Sequence, residues 1–268
     1  MVVEYNLIRP SQHQASETVV NPPQPIAPML GFPRPLVTVD VILFTVQADA
    51  LQVLLVRRPD DKREPFPGRW ALPGGFVNVD ADASLLDCAL RKLREKTGAI
   101  TPYLEQLGSW GNATRDPRGW SATHCFYALV PVQAVELQKG ANAAEVGWFE
   151  VEAALRKRLA FDHAELLAAA VARLRGKVEY TSLPAFLIEE PFTLPALQHV
   201  YEVVLGRPVD KSAFRKRMQG GEFMEEAGMR AAEAGQLGRP AMTYRLRDRS
   251  QAVLFPRTFN ARGADDVA

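Results

Sequence analysis

The pair Gly74-Gly75, followed by one well-marked helix, is the feature that most constrains the fold of this chain of 268 residues. The segment 68–75 is typical of a turn with a short strand. Residues 84–97 place apolar side chains at helical spacing, and Gly98 stands where a helix is expected to end. Glycine lets a backbone come close to a phosphate, although these two glycines could equally serve the turn alone.

Apolar runs on both sides of this helix predict a sheet. Two β-branched runs, 36–45 and 51–56, are separated by a short polar stretch and predict a β-hairpin. Further strands are expected at 104–112, 122–131 and 145–149, and an Ala- and Leu-rich helix at 162–175. The order β, β, α, β, β, β, α predicts an α/β fold, specifically a mixed α/β/α sandwich.

The carboxyl-terminal part predicts two helices joined by a tight turn. Thr193 suits the start of the first helix and Gly206 its end, and Asp210 suits the start of the second. Two helices joined by so short a turn form a helix-turn-helix arrangement. Because segments 222–230 and 240–247 can pair as a hairpin, the whole predicts a winged helix-turn-helix domain.

The second of these helices carries side chains that suit DNA. On a helical wheel, Phe214 and Met218 point inward and the polar residues point outward. Arg, Lys, Gln and Ser offer base and phosphate contacts in a major groove. The candidate DNA-binding residues are Lys211, Ser212, Arg215, Lys216, Gln219 and Arg239. The alternative is a solvated basic face on a module that binds another protein.

The charge of the chain is balanced overall but not locally. The formal net charge is +1, whereas segment 207–262 carries twelve Lys or Arg residues against six Asp or Glu. Such a local excess favours nucleic acid as the partner.

The glycine pair and the helix together resemble the signature of the Nudix hydrolases. That signature runs Gly, five residues, Glu, seven residues, then Arg-Glu-hydrophobic-x-Glu-Glu-x-Gly-hydrophobic. This chain retains Arg91, Leu93, Glu95 and Gly98. It departs at the three other glutamates, which are replaced by Ala83, Lys92 and Lys96, and it places Gly75 two residues further from the helix. The resemblance implies a Nudix fold, while the replacements argue against Nudix catalysis.

The charge on one helix face is the physical reason why the replacements argue against Nudix catalysis. Lys92, Glu95 and Lys96 are spaced i, i+3, i+4 and share a face, so their charges sum to plus one. Magnesium is a hard cation that is held by oxygen ligands, and one carboxylate between two ammonium groups is a poor site for it. The lysines are either solvated and paired with neighbouring acids, or they replace the metal in holding a phosphate. We expect no metal ion, no cofactor and no catalytic residue.

Asp80, Asp82 and Asp87 could in principle rebuild a metal site with Glu95, but this is the less favoured alternative.

Three further residues are candidates for ligand binding. Arg57 or Arg58 could hold a diphosphate, since an arginine fork matches phosphate oxygens, and strand alternation predicts that only one of them faces a pocket. Trp70 could stack on a base or be buried beside the turn. The candidate ligand-binding residues are Arg57, Arg58, Trp70, Gly74, Gly75, Lys92, Glu95 and Lys96.

The two halves together resemble the Nudix-related transcriptional regulators of NAD metabolism, the NrtR-like proteins. The carboxyl-terminal motifs that carry this resemblance are Phe192-Thr193-Leu194, Leu205-Gly206, Asp210-Lys211, Phe214-Arg215-Lys216 and Gly238-Arg239-Pro240-Ala241. The resemblance implies a homodimeric repressor that binds a palindromic double-stranded DNA operator through its winged helix. It also implies that the Nudix domain senses ADP-ribose or a related nucleotide.

Three functions remain open at this stage. The favoured one is an effector-responsive repressor without enzymatic activity. The second is an active Nudix hydrolase of ADP-ribose or a related nucleoside diphosphate, which the missing glutamates disfavour. The third is an interaction protein, which the basic face of the second helix disfavours.

Composition sets the organisation and the expected location. Residues 1–35 hold seven prolines and predict a disordered arm, and residues 263–268 predict a disordered tail. Between them we expect a Nudix-like domain at 36–176 and a winged helix domain at 177–262. No apolar run approaches the length of a membrane span, no signal peptide is visible, and the two cysteines form no disulfide framework, so a reducing cytoplasm is expected.

Overall fold

A mixed sheet forms the centre of the amino-terminal half of the computed structural model, which describes residues 33–98, 101, 103–135, 144–230 and 241–255. Its strands are β1 (Leu36–Gln47), β2 (Ala50–Arg57), β3 (Trp70–Ala71), β4 (Gly74–Phe76), β5 (Tyr103–Asn112), β6 (Ser121–Leu129) and β7 (Glu145–Glu150). Five strands lie in the order β3-β2-β1-β6-β5, while β4 pairs with β1 and β7 with β2. Only the β1–β6 pair of these is parallel. The predicted hairpin of β1 and β2 is confirmed, and the segment 68–75, predicted as a turn with a short strand, contains β3 and the start of β4.

Helices cover both faces of this sheet, because the central strand is apolar on both sides. In β1, Ile42 and Phe44 face a core that includes the helix α3 (His163–Val178). Val41 and Leu43 face the opposite core, which includes the helix α1 (Leu85–Thr97). A short helix, α2 (Val151–Leu155), was not expected from the sequence. The predicted three-layer α/β/α arrangement is therefore confirmed.

The carboxyl-terminal half has the predicted winged helix arrangement. Its elements are β8 (Phe192–Thr193), α4 (Leu194–Leu205), α5 (Lys211–Gly220), β9 (Met224–Arg230) and β10 (Ala241–Leu246). The Thr193 hydroxyl caps α4, Gly206 ends it with a positive φ of 69°, and the Asp210 carboxylate caps α5. β9 and β10 are antiparallel, and β8 joins β10 to complete a three-stranded sheet.

One hydrophobic cluster joins the two halves. Leu167 and Val171 of α3 belong to the same buried cluster as Leu197 and Tyr201 of α4. The segment between α3 and β8 is itself packed, since Leu183–Phe186 is fully buried. The proposed domain boundary after Gly176 falls within α3, which continues to Val178. No helix in the described residues is both long and apolar enough to cross a membrane.

A buried ion pair fastens the loop before α1 to the helix. Arg91 on α1 donates from Nε and Nη2 to the two oxygens of Asp82, at 2.6 and 2.5 Å. The Asp82 side chain is 1% exposed and also accepts from the backbone N–H of Asn78. The hydrogen bonds from Arg91 hold the pKa of Asp82 well below its usual range. The Ser84 hydroxyl accepts from the N–H of Asp87 and caps the start of the helix.

We predict that Gly74→Ala destabilises the fold by about 1–3 kcal/mol or more, because overpacking a rigid site forces the backbone to move. A Cβ at Gly74 would stand 2.1 Å from Asp40 Oδ1 and 2.6 Å from the carbonyl oxygen of Val39. Gly176→Ala is the control, because Gly176 is exposed within α3 and a Cβ there would meet nothing within 4 Å. It should stabilise the protein by about 0.5–1 kcal/mol. Urea unfolding measures both, and equal stabilities for the two variants would contradict the close approach.

A second prediction concerns the Arg91–Asp82 pair. Arg91→Ala should lower the free energy of unfolding at pH 7 by about 3 kcal/mol, since it leaves a buried carboxylate unpaired. The loss should shrink as the pH falls below about 4, the pKa of aspartate in an unfolded chain. The reason is that a depressed folded-state pKa stabilises the fold only where the unfolded carboxylate is ionised. Urea titrations at pH 7 and pH 3 test this, with the exposed Arg94→Ala on the same helix as the control. A pH-independent difference between wild type and Arg91→Ala would refute it.

Candidate nucleotide pocket and nucleic-acid interface

A pocket opens where β1, the end of β2, β4, the loop between β5 and β6, and the start of α3 meet. Its volume is about 90 Å³, roughly that of three water molecules in the liquid. It is lined by Thr38, Asp40, Val56, Arg57, Arg58, Ala71, Leu72, Gly74, Gly75, Phe76, Arg115, Asp116, Arg118, Phe161 and His163. The lining is rich in guanidinium groups and includes exposed backbone at two glycines, a combination that suits an anionic ligand.

The base of the pocket is a network of buried charges. Arg115 donates from Nε and Nη2 to the two carboxylate oxygens of Asp162, at 2.8 and 2.9 Å. Its Nη2 also lies 3.7 Å from Oδ2 of Asp40, and the Arg115 side chain is only 3% exposed. Burial acts to lower the pKa of Arg115, but its hydrogen bonds and charge interactions with Asp162 and Asp40 prevail and raise it. Arg115 is therefore a permanent cation at the base.

His163 is part of the same network in its neutral form. Its Nδ1 accepts the backbone N–H of Leu72 at 2.9 Å, so the proton lies on Nε2, which is 3.6 Å from Oδ1 of Asp40. Complete burial lowers the pKa of His163. This contact also ties the start of α3 to the strand segment that precedes the glycine pair.

Two arginines at the rim are more exposed than Arg115. Arg57 lies 3.5 Å from Glu145 with both side chains about half exposed, so this ion pair contributes little, and its Nε donates to the Gly68 carbonyl at 3.1 Å. Arg57 can therefore turn towards an anionic ligand at a small energetic cost. Arg118 is 37% exposed but is held by two hydrogen bonds to Asp116, whose side chain is only 2% exposed, and it stands 4.8 Å from the centre of the Phe76 ring.

Four of the predicted ligand residues meet in this pocket, namely Arg57, Arg58, Gly74 and Gly75. Strand alternation predicts that only one arginine of the pair faces the pocket, and both residues belong to its lining. β2 ends at Arg57, so the alternation does not extend to Arg58. Arg58 is nevertheless engaged, because it donates to the Pro65 carbonyl at 2.7 Å and pairs with Glu64.

Trp70 is not among the lining residues. Its ring makes an edge contact with Phe149, with the centroids 4.6 Å apart, and it packs against the main core. The structure thus favours the second of the two roles considered for it, a packed residue beside the turn.

The signature helix presents its charges beside the pocket rather than in it. Lys92 packs over Gly75, where an added Cβ would stand 3.3 Å from Lys92 Nζ. Glu95 accepts from Arg91 at 3.0 Å and lies 3.5 Å from Lys92. Burial favours the neutral acid, but these cations prevail and lower the pKa of Glu95. The side chain of Lys96 lies outside the described part of the structure.

These residues do not fit a divalent cation. Asp82 and Glu95 are both neutralised by Arg91, and Asp87 is bonded to the Ser84 hydroxyl. Within the described ranges, no group of three or more His, Cys, Asp or Glu side chains could hold a metal ion. The alternative in which three aspartates rebuild a site with Glu95 therefore finds no support in the geometry.

Sequence reasoning missed the loop between β5 and β6, which carries Arg115, Asp116 and Arg118 into the pocket. A signal was present, because Pro117 and Gly119 mark a turn and three charges stand within it. What the sequence did not indicate is that this turn lies against β1 and the start of α3.

The candidate DNA-binding face lies on α5. Phe214 and Met218 are buried as predicted. The predicted contact residues Lys211, Ser212, Arg215, Lys216 and Gln219 are all exposed. No ion pair within the described residues engages the three cations of this set. Arg239 lies outside the described residues.

Comparison with known proteins agrees with this architecture. Residues 34–170 match the NUDIX domain, and residues 184–246 match the NrtR DNA-binding winged helix domain. The chain is 45% identical over 226 residues to the ADPR responsive transcriptional repressor NtrR of Acinetobacter baylyi, covering 84% of this chain and 88% of the relative.

Solved structures give the same result. The crystal structure of Shewanella oneidensis NrtR superposes with a TM-score of 0.73 at 42% identity, covering 82% of this chain and 98% of that one. NrtR from the same organism in complex with a 27mer DNA gives a TM-score of 0.73 at 43% identity, covering 82% and 97%. Because both domain models match in order and the repressor relative is matched over most of its length, the chain belongs to the NrtR family of NUDIX-domain transcriptional regulators.

Proposed function

We propose that this protein is a DNA-binding transcriptional repressor that responds to ADP-ribose or a closely related nucleotide. The observation that carries the proposal is the exposed basic face of α5, which has no acidic partner among the described residues. Phe214 and Met218 on the same helix are buried and hold it against the domain. A helix that is held in this way and carries unpaired cations on its exposed face suits the phosphate backbone and the major groove of DNA. The repressor relative and the DNA-bound structural relative support this role.

The nucleotide site of this proposal is the arginine-lined pocket. Arg57 and Arg118 at its rim carry guanidinium forks that match the oxygens of a diphosphate, and Gly74 and Gly75 let backbone groups approach. The pocket volume of about 90 Å³ accommodates one group of a nucleotide, and the remainder would lie across the rim. Lys92, packed over Gly75, adds positive charge next to this position. The name of the Acinetobacter baylyi relative, which describes a response to ADPR, supports this choice of effector.

The same residues argue against hydrolysis. Metal-assisted cleavage of a diphosphate needs carboxylates that hold a cation close to the attacked phosphorus. Here Glu95 is bonded to Arg91, position 92 is a lysine, and position 83 is an alanine. We infer that the pocket binds a nucleotide and leaves it intact. An active NUDIX hydrolase remains the competing function, and no observation in the pocket favours it.

A homodimer completes the proposal. One winged helix buries a modest surface on DNA, so two copies that read two half-sites of a palindrome provide the affinity and specificity that a repressor needs. The effector then acts by binding with different affinity to the DNA-competent and DNA-incompetent arrangements of the dimer.

The third prediction tests the DNA-binding face. Arg215→Ala and Lys216→Ala should weaken binding to a duplex that the wild-type protein selects from a random pool. Each lost phosphate contact should lower the slope of log affinity against log salt by about one per protomer. Fluorescence anisotropy at several salt concentrations measures both effects, and calorimetry should show unchanged ADP-ribose binding. Arg156→Ala, which removes an exposed cation after α2, is the control. Unchanged DNA affinity in both α5 variants would refute the assignment of this helix.

The fourth prediction concerns the metal. Calorimetry in EDTA should show ADP-ribose binding as tight as in Mg²⁺, because arginine and lysine supply the positive charge. No release of AMP should occur with Mg²⁺ or Mn²⁺ at ordinary enzyme rates, on the order of 1 s⁻¹ or more. Binding that disappears with the chelator and returns with Mg²⁺ would show that the cation is required. Metal-dependent AMP release at such rates would establish the hydrolase instead.

A further inference from the structure

α3 extends from the pocket to the winged helix. At its start, Asp162 forms the buried pair with Arg115, and His163 accepts the backbone N–H of Leu72. Its 16 residues correspond to about 24 Å of helix. A single rigid element therefore has one end in the candidate effector site and the other end beside the DNA-binding half.

The far end of α3 holds both helices of the helix-turn-helix. Arg175 donates from Nε to the carbonyl oxygen of Val204, in the last turn of α4, at 3.1 Å. The Glu179 carboxylate, directly after α3, accepts from Nη2 of Arg207 in the turn between α4 and α5, at 2.6 Å. The Glu179 carbonyl oxygen accepts from Nη1 of Arg217 on α5 at 2.8 Å. Three arginines thus join the end of this helix to the DNA-binding helices.

Arg217 differs from its neighbours on α5. Arg215 and Lys216 are exposed and have no acidic partner within the described residues, whereas Arg217 is directed back towards α3. Its guanidinium also lies 6.0 Å from the centre of the Phe255 ring. Of three consecutive cations, two are available to DNA and the third fixes the position of the helix that carries them.

α3 is also anchored to the strand that leads to the pocket loop. Glu105 on β5 is 2.6 Å from Lys177 and 3.4 Å from Arg173, both on α3. The hydroxyl of Tyr127 donates to the same carboxylate at 2.7 Å. Arg115 lies in the loop that follows β5, so the loop, β5 and α3 are joined at both ends of the helix.

We propose that α3 couples the nucleotide pocket to the DNA-binding helix, and that Arg217 is the positioning residue through which α5 follows the end of α3. The inference rests on the proposed function, since it assigns the route by which the effector changes DNA affinity. A ligand that draws on the Arg115–Asp162 pair shifts α3, and the bond between Arg217 and the Glu179 carbonyl carries the shift to α5. The coupling is reciprocal, so bound DNA weakens nucleotide binding by the same factor.

The test measures a coupling factor, defined as the DNA dissociation constant with saturating ADP-ribose divided by that without it. For the wild-type protein and its selected duplex we expect about 5- to 150-fold. Arg217→Ala should reduce this factor by about threefold or more, because it removes the bond that links α5 to α3. ADP-ribose affinity of the DNA-free variant should stay within about twofold of wild type, within the range of independent sites. Arg217→Lys keeps one donor for the carbonyl and should recover part of the factor.

Arg215→Ala is the matched control on the same helix. It should weaken DNA binding and leave the coupling factor at the wild-type value, because no hydrogen bond or ion pair among the described residues joins Arg215 to α3. Arg207→Ala, which removes the bond to the Glu179 carboxylate, keeps the test valid if Arg217→Ala does not fold, and it should also lower the factor. Wild-type coupling retained in the folded variants at both positions would overturn the route through α3. A wild-type factor of one would instead refute the effector-responsive function itself.

Discussion

The buried pair of Arg115 and Asp162 is the interaction on which the arrangement of the amino-terminal half depends. It joins the β5–β6 loop to the start of α3, and Asp40 of β1 completes the charge balance. Taking two charges out of water is costly, and such a pair is sustained only where the remaining hydrogen-bonding positions are also satisfied. Here Ser121 accepts a further bond from Arg115, and Thr123 donates to Asp40. The network favours one relative position of sheet, loop and helix, and that position creates the pocket.

The charges of the signature helix have a different use from the one that the signature suggests. Arg91 is turned towards Asp82 and Glu95, so it holds the loop before α1 and neutralises the carboxylates that remain. Lys92 covers Gly75 at the edge of the pocket. In the signature, this helix carries carboxylates that hold a cation. In this chain its charges are paired with one another, and Lys92 lies against the glycine turn. Positive charge from Lys92 therefore stands at the edge of the pocket, next to Gly75.

The two halves share one hydrophobic cluster, which separates this chain from a pair of domains on a flexible linker. The segment between α3 and β8 is buried, and α3 packs against α4. Packed cores are close to incompressible, so small displacements at one side are transmitted and not dissipated. Arg175, Arg207 and Arg217 add polar contacts at the same junction. This combination of a common core and specific hydrogen bonds is the physical basis of the proposed coupling between the pocket and α5.

The sequence alone determined the elements whose causes are local. Gly98, Thr193, Gly206 and Asp210 act as helix caps where their side-chain or backbone chemistry predicts, and Phe214 and Met218 are buried as helical periodicity requires. The order of the elements, the loss of three signature glutamates and the basic face of α5 were likewise evident from the sequence.

Only the tertiary structure decided which of these residues act together. Arg57 and Arg58 both belong to the lining of the pocket, because β2 ends at Arg57 and strand alternation does not extend to Arg58. Arg115 stands 47 residues before its partner Asp162, and Leu72 stands 91 residues before His163. Arg217 looks like Arg215 until its partner at Glu179 is seen. The exposed Arg215 and Arg217, which is bonded to the Glu179 carbonyl, are the same residue type two positions apart on α5. What separates them is the position of a carbonyl oxygen 38 residues away, which packing of the whole chain sets.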